Sequence, residues 1–398
     1  MSKKIIGFLK INKKIIFLFF ATLLVYSFSG RGLGAHYNYF ILMADAFLHG
    51  RLYLTTHPSW LNELALWHGH YYTVYPPGPA LLLIPFVAIF GTAFYQPALS
   101  IVLGAFNVIL CYKFLSKFFT KEISFWTSVL YAFGTMQWYH ASIGSVWYAA
   151  HIVAMFFIWL ALLELVTKKR LFLVSFFIGF AYLATIPSAL AAIFVLVFSK
   201  DDFIKFEKKK LKINFRNIFI FGAGFIPIVL FDAFYNYSRF GNFYDIGYSL
   251  LPVFNEPWYK YGLVSLRYIP IHLLEIFTAM PKFVPKPPFL IPSLFAMAVW
   301  FVTPAFLLIP FARFRTKLVF ASLVAVLFMS FPSLVHGGNG FTQFGFRHVL
   351  DFLPFLLIMT ASGMGDKIKP AGIILIVLSI LVNLWGIVFI NFLNIWTL

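Results

Sequence analysis

The sequence predicts an all-α protein, a polytopic transmembrane helical bundle, and three observations lead to this prediction. Of the 398 residues, 61% are hydrophobic and only 11% are charged, whereas soluble globular proteins carry about 25% charged residues. Many apolar runs reach or approach the roughly 17–25 residues that cross a bilayer core as a helix. The alternation over about ten residues that marks a membrane β-barrel strand does not occur. We therefore expect one integral membrane module, residues 1–398, with about 11 spans.

The charge balance fits the loops of a membrane protein. The chain has 31 Lys and Arg against 13 Asp and Glu, a formal net charge of +18, and cytoplasmic loops concentrate such an excess under the positive-inside rule. Nucleic-acid binding would need a basic soluble domain, and the apolar runs leave no room for one. The single cysteine, Cys111, lies in an apolar run, which excludes a disulfide framework and a thiolate metal site.

The basic clusters predict the topology. The start "MSKKIIGFLKINKK" precedes the apolar run 15–29, so we expect the N-terminus on the cytoplasmic face of a prokaryotic cell membrane. That run is also short enough to be the apolar region of a cleaved signal peptide. The later basic clusters all fall on the cytoplasmic side if 79–91 is a short re-entrant or interfacial helix rather than a span. The predicted spans are then 15–29, 95–116, 123–140, 147–166, 171–184, 187–198, 217–236, 293–310, 317–334, 348–365 and 371–391.

Three segments are left on the outer side: the first outer loop 30–94, the second large outer loop 237–292, and the short loop 335–347. They contain most of the histidines and the Pro/Gly-rich turns. We expect interfacial helices over 37–48 and within "RYIPIHLLEIF" (267–277), where polar and apolar faces alternate with helical spacing. The stretch "HGHYYTVYPPGP" (68–79) should follow an irregular polar course, because prolines cannot donate backbone hydrogen bonds.

Two carboxylates of the first outer loop are candidate catalytic residues. Glu63 lies in "WLNELALWHGH", among indoles and imidazoles that could raise its pKa and make it a proton acceptor near neutral pH. Asp45 is the second candidate, presented by the predicted interfacial helix. The alternative for Asp45 is a local ion pair with Arg51.

The histidines of the same loop are candidate ligands for a lipid phosphate. His36, His68 and His70 are the ones we single out, together with Tyr75, which should lie at headgroup depth as aromatic belts do. His68-x-His70 is also a plausible pair of metal ligands on an extended chain. No spacing resembles a structural zinc motif, however, and we predict neither a metal nor a cofactor.

The second dense patch is "HGGNGFTQFGFRHVLDFLPF" (336–355). Arg347 and His348 open a predicted span, and Asp351 follows one turn later. Arg347 and Asp351 can pair on one helical face, or the guanidinium of Arg347 can meet a phosphate, whose oxygens suit its fork geometry. Arg239 and Arg267 of the long loop are further phosphate candidates. Together they predict a basic, aromatic-lined outer cavity for an anionic lipid headgroup and a sugar.

Several stretches together resemble the GT-C membrane glycosyltransferases, a broad class that includes the protein mannosyltransferase and aminoarabinose transferase groups. They are "FLHGRLYL", "HGHYYTVYPPGPALLLIPF", "FGTMQWYHASIGSVWYAAH", "YNYSRFGNFYDIGY" and "FTQFGFRHVLDFLPF", which span about residues 36–365 in order. The resemblance implies a polyprenyl-phosphate-linked sugar donor, transfer on the outer face of the membrane, and inversion at the anomeric carbon. It also implies that an acidic residue of the first outer loop is the base, here Glu63 or Asp45.

The chain departs from that class, most importantly after the first span, and leaves two other functions open. The class commonly carries an Asp directly after the first span, where this chain reads Ala35-His36-Tyr37-Asn38. A transporter or flippase of an amphipathic glycolipid is one alternative, although paired broken helices in related halves, its usual mark, are not found. A non-catalytic binding subunit is the other, because the usual carboxylate is missing.

Overall fold

The computed structural model describes residues 13–31, 36–207, 210–252, 256–340 and 343–397. The basic segment before Lys13, from which a cytoplasmic N-terminus is predicted, lies outside these residues, as does Ala35. The described chain is mostly helical.

Six helices of the described chain are long and apolar enough to cross a membrane. A membrane-spanning backbone must satisfy its hydrogen bonds internally, and a helix does so within one segment. The six helices lie at six of the predicted spans. Their bounds are Lys13–Gly30, Pro97–Leu115, Val146–Thr167, Phe215–Phe240, Lys317–Val335 and Pro370–Phe392.

Shorter or interrupted helices occupy the other five predicted spans. The α-helices there are Lys121–Phe133, Gln137–Ile143, Leu171–Tyr182, Ala192–Phe198, Val299–Val302 and Leu353–Gly363. Three of them continue from, or into, the 3-10 helices Ile186–Ala191, Pro304–Phe311 and Arg347–Phe352. None of these α-helices reaches 18 residues, so the number of about 11 spans stays a prediction.

The first outer loop folds onto itself rather than running irregularly. Helices Tyr39–Leu48 and Gly78–Phe90 pack against each other, and strands Leu64–Trp67 and His70–Thr73 form an antiparallel hairpin between them. The irregular course predicted for 68–79 is therefore wrong over its first half. Aromatic residues favour strands, and the prolines begin only after the second strand has ended.

Two more short hairpins interrupt the predicted all-α architecture. They pair Ile204–Glu207 with Lys210–Ile213 and Lys282–Phe283 with Leu290–Ile291. The long loop also contains the amphipathic helix Ile269–Thr278, just before the last hairpin, at the position that the sequence predicts.

Several polar side chains inside the bundle bond to one another or to backbone oxygens. The Tyr26 hydroxyl donates to the Ala132 oxygen (2.7 Å) and accepts from Nε2 of Gln137 (3.2 Å). Nδ2 of Asn107 donates to the Ile152 oxygen at 3.1 Å. Lipid offers no partners to such groups, so these bonds tie neighbouring helices together.

The predicted cytoplasmic clusters meet at one end of the bundle, which we call the basic end. Three ion pairs connect clusters that are distant in sequence: Lys169–Asp202 (2.6 Å), Lys317–Asp201 (2.8 Å) and Arg313–Asp366 (2.7 Å). Exposed ion pairs contribute little stability, but they show that these loops are neighbours.

The three predicted outer segments also meet one another, at what we call the loop end. The Gly337 amide donates to the Leu263 oxygen (2.9 Å), which joins the short loop to the long one. Nη1 of Arg239 donates to the Thr73 oxygen (2.9 Å), which joins the long loop to the first. Segments separated by up to about 270 residues in sequence therefore share one end of the bundle.

Cysteine labelling in intact cells tests this arrangement. Cys111 is buried, so the wild-type background should be low. Thr55→Cys and Ser249→Cys replace exposed residues of the loop end, and Lys168→Cys and Arg315→Cys replace exposed residues of the basic end. We expect an impermeant maleimide to label the first pair in intact cells and the second pair only after permeabilisation. Labelling of residues 55 and 249 from opposite sides of the membrane would contradict the shared end.

Candidate functional site

The loop end encloses a cavity of about 1220 Å³, larger than the roughly 300–1,000 Å³ of most small-ligand pockets. Residues from all three predicted outer segments line it, together with residues of the helix Gln137–Ile143, the start of the helix Val146–Thr167 and the C-terminal segment 390–396. Many of the lining residues are aromatic, among them Tyr37, Trp147, Tyr148, Tyr248, Trp258 and Tyr259. The cavity is therefore accessible to a large amphipathic ligand.

The charges of this cavity are mixed, and the predicted basic cavity is wrong in that respect. Glu63, Glu256 and Glu275 line it, as do Arg347 and Lys260. Burial lowers the pKa of His336, and a lowered pKa keeps this lining histidine neutral at pH 7. Carboxylates thus outnumber cations among the described lining residues.

Glu63 is held at the cavity wall by the bundle and by its own loop. It directly precedes the strand Leu64–Trp67, and its backbone amide donates to the Tyr39 hydroxyl at 3.0 Å. Its Oε2 accepts from Nε1 of Trp147 at 2.9 Å and from the hydroxyl of Tyr75. Trp147 begins a long helix of the bundle, so this carboxylate connects the first loop to the bundle.

Opposing effects act on the proton affinity of Glu63. Burial raises the pKa of its carboxyl above the ordinary value, while the Trp147 hydrogen bond and the positive charge of Arg347 oppose that rise. A raised pKa allows a carboxylate to accept a proton near neutral pH more readily than an exposed glutamate does. The geometry and the electrostatics of Glu63 both suit a proton acceptor.

Arg347 provides a positive charge in the same cavity. Its backbone amide donates to Oε1 of Gln343 at 2.8 Å, which fixes the start of the 3-10 helix. Within the described part of the chain, its guanidinium makes no ion pair with a carboxylate. The guanidinium is only partly exposed, and it can receive an anion that enters the cavity.

Glu275 and the Gly-rich loop form another part of the wall. Nδ2 of Asn339 donates to Oε2 of Glu275 at 3.2 Å, and burial raises the pKa of Glu275. Gly337 and Gly338 pass so close to Tyr259 that a side chain at either position would contact its ring or hydroxyl. The glycines therefore let the short loop close over the cavity.

The structure places the other predicted carboxylate and two arginines away from the cavity. Asp45 lies 3.7 Å from Nη2 of Arg51, the local pair that the sequence left as an alternative. Arg239 is buried, and its Nη2 donates to Oδ1 of Asn236 at 2.6 Å. Arg267 lies over the ring of Tyr261, 5.3 Å from its centre. None of these predicted residues is among the cavity-lining residues.

The predicted histidines of the first loop are also not among the cavity-lining residues. His36 and His68 are exposed, and His68 occupies the hairpin turn with a φ of 47°. His70 is stacked on Tyr53, with 4.0 Å between the ring centres. Tyr75, by contrast, reaches the site through its hydrogen bond to Glu63.

His348 and Asp351 lie outside the described cavity lining, and Arg347 and Asp351 do not form the pair that the sequence left as one of two alternatives. Oδ1 of Asp351 accepts from Nδ1 of His151 (2.7 Å) and from the hydroxyl of Thr185 (3.0 Å). Pairing at a spacing of four requires an α-helix, but this segment is a 3-10 helix with three residues per turn. His348 and Asp351 therefore share a face, and Arg347 points elsewhere.

The sequence prediction missed Trp147 and His151 as parts of this region. Both lie in "SVWYAAH" (145–151), at the predicted outer end of a span. An indole and an imidazole at the same depth as the outer loops were a usable signal, since polar groups there tend to face a cavity or a partner.

The long apolar helices, with a polar cavity at their loop end, are those of an integral membrane protein. No family model and no curated protein matches the sequence. Among solved structures, the fold is similar to that of the archaeal oligosaccharyltransferase AglB from Archaeoglobus fulgidus, determined in complex with an inhibitory peptide and a dolichol-phosphate, with a TM-score of 0.50 and 12% identity. The match covers 94% of this chain and spans 55% of the length of that chain. At this identity the similarity concerns the fold.

Infrared spectroscopy can test the pKa of Glu63 directly. The carboxyl signal that disappears in Glu63→Gln should titrate at a pH above the range of exposed glutamates. Trp147→Phe removes a hydrogen bond that favours the carboxylate, so we expect it to raise this midpoint further. Trp60→Phe, at an exposed indole of the same loop, should leave it unchanged. An unshifted midpoint in Trp147→Phe would contradict the proposed control of this pKa.

Proposed function

We propose that this protein is an inverting glycosyltransferase that moves a sugar from a polyprenyl-phosphate-linked donor to an acceptor on the outer face of the membrane. The observation that carries this proposal is the pairing of two groups in one cavity. Glu63 offers a carboxylate with raised pKa, and Arg347 offers a guanidinium that no described carboxylate neutralises.

The proposed reaction needs a proton acceptor and a stabilised leaving group. The acceptor hydroxyl oxygen forms a bond to the anomeric carbon while the bond from that carbon to the phosphate oxygen breaks. The electron pair of the broken bond leaves with the lipid phosphate, and the hydroxyl proton passes to Glu63. Attack from the face opposite the phosphate inverts the anomeric configuration, which agrees with what the resemblance implies.

Arg347 is assigned to the leaving phosphate. Negative charge develops on the phosphate oxygens as the sugar departs, and a preorganised cation at that position lowers the barrier. A guanidinium suits the task because its planar donors match two phosphate oxygens. Arg239 and Arg267, the assistants that the sequence suggested, lie outside the cavity lining, so the proposal gives them no contact with the substrate.

The size of the cavity and the fold support a lipid-linked donor. A volume of about 1220 Å³ exceeds what one sugar needs and leaves room for an acceptor. The oligosaccharyltransferase that this chain resembles in fold was solved with a dolichol-phosphate, a lipid phosphate of the same chemical class as the proposed donor.

Transfer assays with the reconstituted protein test the base. We expect Glu63→Gln to lower the rate of sugar transfer from a polyprenyl-phosphate donor by about 10²–10⁴-fold, the usual contribution of a general base. Asp45→Asn is the matched control, since it removes the other candidate carboxylate, and it should keep nearly the full rate. If Asp45→Asn lost the transfer activity and Glu63→Gln kept it, the base would be Asp45 and not Glu63. Donor binding without transfer by the wild type would instead identify a non-catalytic binding subunit.

A glycine substitution tests the placement of Arg347 without changing any charge. A Cβ added at Gly340 would lie 2.9 Å from Nε of Arg347 and 2.9 Å from Oε1 of Gln343, so Gly340→Ala should displace the guanidinium. We expect it to lower the transfer rate at least about tenfold, which corresponds to about 1.4 kcal/mol, in the same direction as Arg347→Gln.

The control for that substitution is Gly365→Ala. Gly365 has a similar positive φ of 80°, against 95° for Gly340, but no atom lies within 4 Å of its added Cβ. Both variants thus carry comparable backbone strain, and only one affects the cavity. If both variants lost the same fraction of the transfer rate, backbone strain would explain the loss, and the role of Arg347 would be contradicted.

A further inference from the structure

Three potential metal ligands converge behind the wall of the cavity. His151, His348 and Asp351 present ligand atoms that all lie within 4.8 Å of one another. His151 is 5% exposed and Asp351 is 1% exposed, and neither belongs to the described lining of the cavity. The cluster is therefore distinct from the pair formed by Glu63 and Arg347.

The local geometry explains why these residues meet. His348 and Asp351 are three residues apart in the 3-10 helix Arg347–Phe352, and side chains at that spacing eclipse each other. Both face the helix Val146–Thr167, which carries His151 in its second turn. The rings of His151 and His348 lie 5.7 Å apart, centre to centre.

The buried polar groups of the cluster are only partly satisfied by their described hydrogen-bond partners. Nε2 of His348 is buried and has no hydrogen-bond partner among the described residues, and such orphaned nitrogens are rare in native structures. Asp351 is almost fully buried in a membrane protein, where a carboxylate needs a partner. Its described hydrogen-bond donors are His151 and Thr185, while Arg347 does not pair with it.

We propose that His151, His348 and Asp351 bind a divalent transition-metal ion of the Zn²⁺ type. Two imidazoles and one carboxylate are a common ligand set for such ions, and zinc sites with three protein ligands keep a fourth position for water or another oxygen. The ion would give the orphaned Nε2 of His348 a partner and neutralise the buried carboxylate of Asp351.

Thr185 supplies the kind of outer support that metal ligands usually have. Its hydroxyl donates to Oδ1 of Asp351 at 3.0 Å, and it lies 2.6 Å from the hydroxyl of Ser188. Partners of this kind orient a ligand and strengthen metal binding. A bound ion would then fasten three parts of the bundle: the His151 helix, the turn at Thr185, and the segment that begins at Arg347.

Metal analysis of the full-length protein in detergent tests the proposal, and it does not depend on transferase activity. After treatment with a chelator and addition of Zn²⁺, the wild type should retain one ion per chain, and its melting temperature should rise with Zn²⁺ but not with Mg²⁺, which prefers all-oxygen ligands. His348→Gln and Asp351→Asn should weaken binding by more than about 100-fold, because even outer partners contribute 10–100-fold.

His140→Gln is the matched control. His140 is also fully buried and its Nε2 also lacks a described partner, but it lies outside the cluster, so this variant should bind Zn²⁺ like the wild type. Thr185→Val keeps all three ligands and should weaken Zn²⁺ binding by about 10–100-fold. This variant tests the site even if the ligand variants do not fold. Failure of the wild type to retain Zn²⁺, or equal binding by His348→Gln and the wild type, would overturn the proposal and leave a His151–Asp351 hydrogen bond with a structural role.

Discussion

The hydrocarbon of a bilayer offers no hydrogen-bond partners, and the rest of this structure follows from that constraint. An irregular backbone can exist at membrane depth only where protein or water satisfies it. In the described chain, the hairpin Leu64–Thr73 and the Gly-rich turn at Gly337 accordingly lie at the loop end. The long helices carry the chain between the two ends. A polar cavity at the loop end is a consequence of gathering every irregular outer segment in one place.

Because of the same constraint, polar side chains inside the bundle differ from those around the cavity. Inside the bundle, neutral groups such as Gln137 and Asn107 donate to nearby oxygens, and their role is to hold helices together. Around the cavity, charged groups remain only partly compensated. Glu63 loses hydration but gains the indole hydrogen bond of Trp147 and the field of Arg347. Because these effects oppose each other, the carboxyl keeps a proton affinity that solvent or substrate entering the cavity can change.

Periodicity, composition and charge placement were sufficient to predict much of this arrangement. The six long helices and the shared end of the outer segments follow from apolar run lengths and lysine positions. Glu63 and Arg347 were two of several candidates chosen within those segments by residue type. The hairpin in the first loop was missed because the proline run just after it suggested an irregular chain. A hairpin depends on the pairing of aromatic strand residues such as Tyr71 and Tyr72 rather than on the residues that follow.

Contacts over long sequence distances were the part that the sequence could not predict. A helical period tells which side chains share a face, but it does not tell which other helix that face meets. A pair between Arg347 and Asp351 was one of two alternatives because an α-helix was assumed, and the 3-10 helix instead moves Asp351 towards His151, 200 residues away. The side-chain directions were therefore misjudged because the segment Arg347–Phe352 is a 3-10 helix and not an α-helix.

The absence of a carboxylate after the first span has a structural answer if Glu63 is the base. The segment between the helix Tyr39–Leu48 and the hairpin leads the chain back, so that Glu63 lies beside the start of that helix and its amide donates to the Tyr39 hydroxyl. A carboxylate 24 residues further along the chain thereby reaches the beginning of the first outer loop. The proposed reaction requires a carboxylate at the cavity wall within the field of a cation, and a folded loop can place one there from a different position in the sequence.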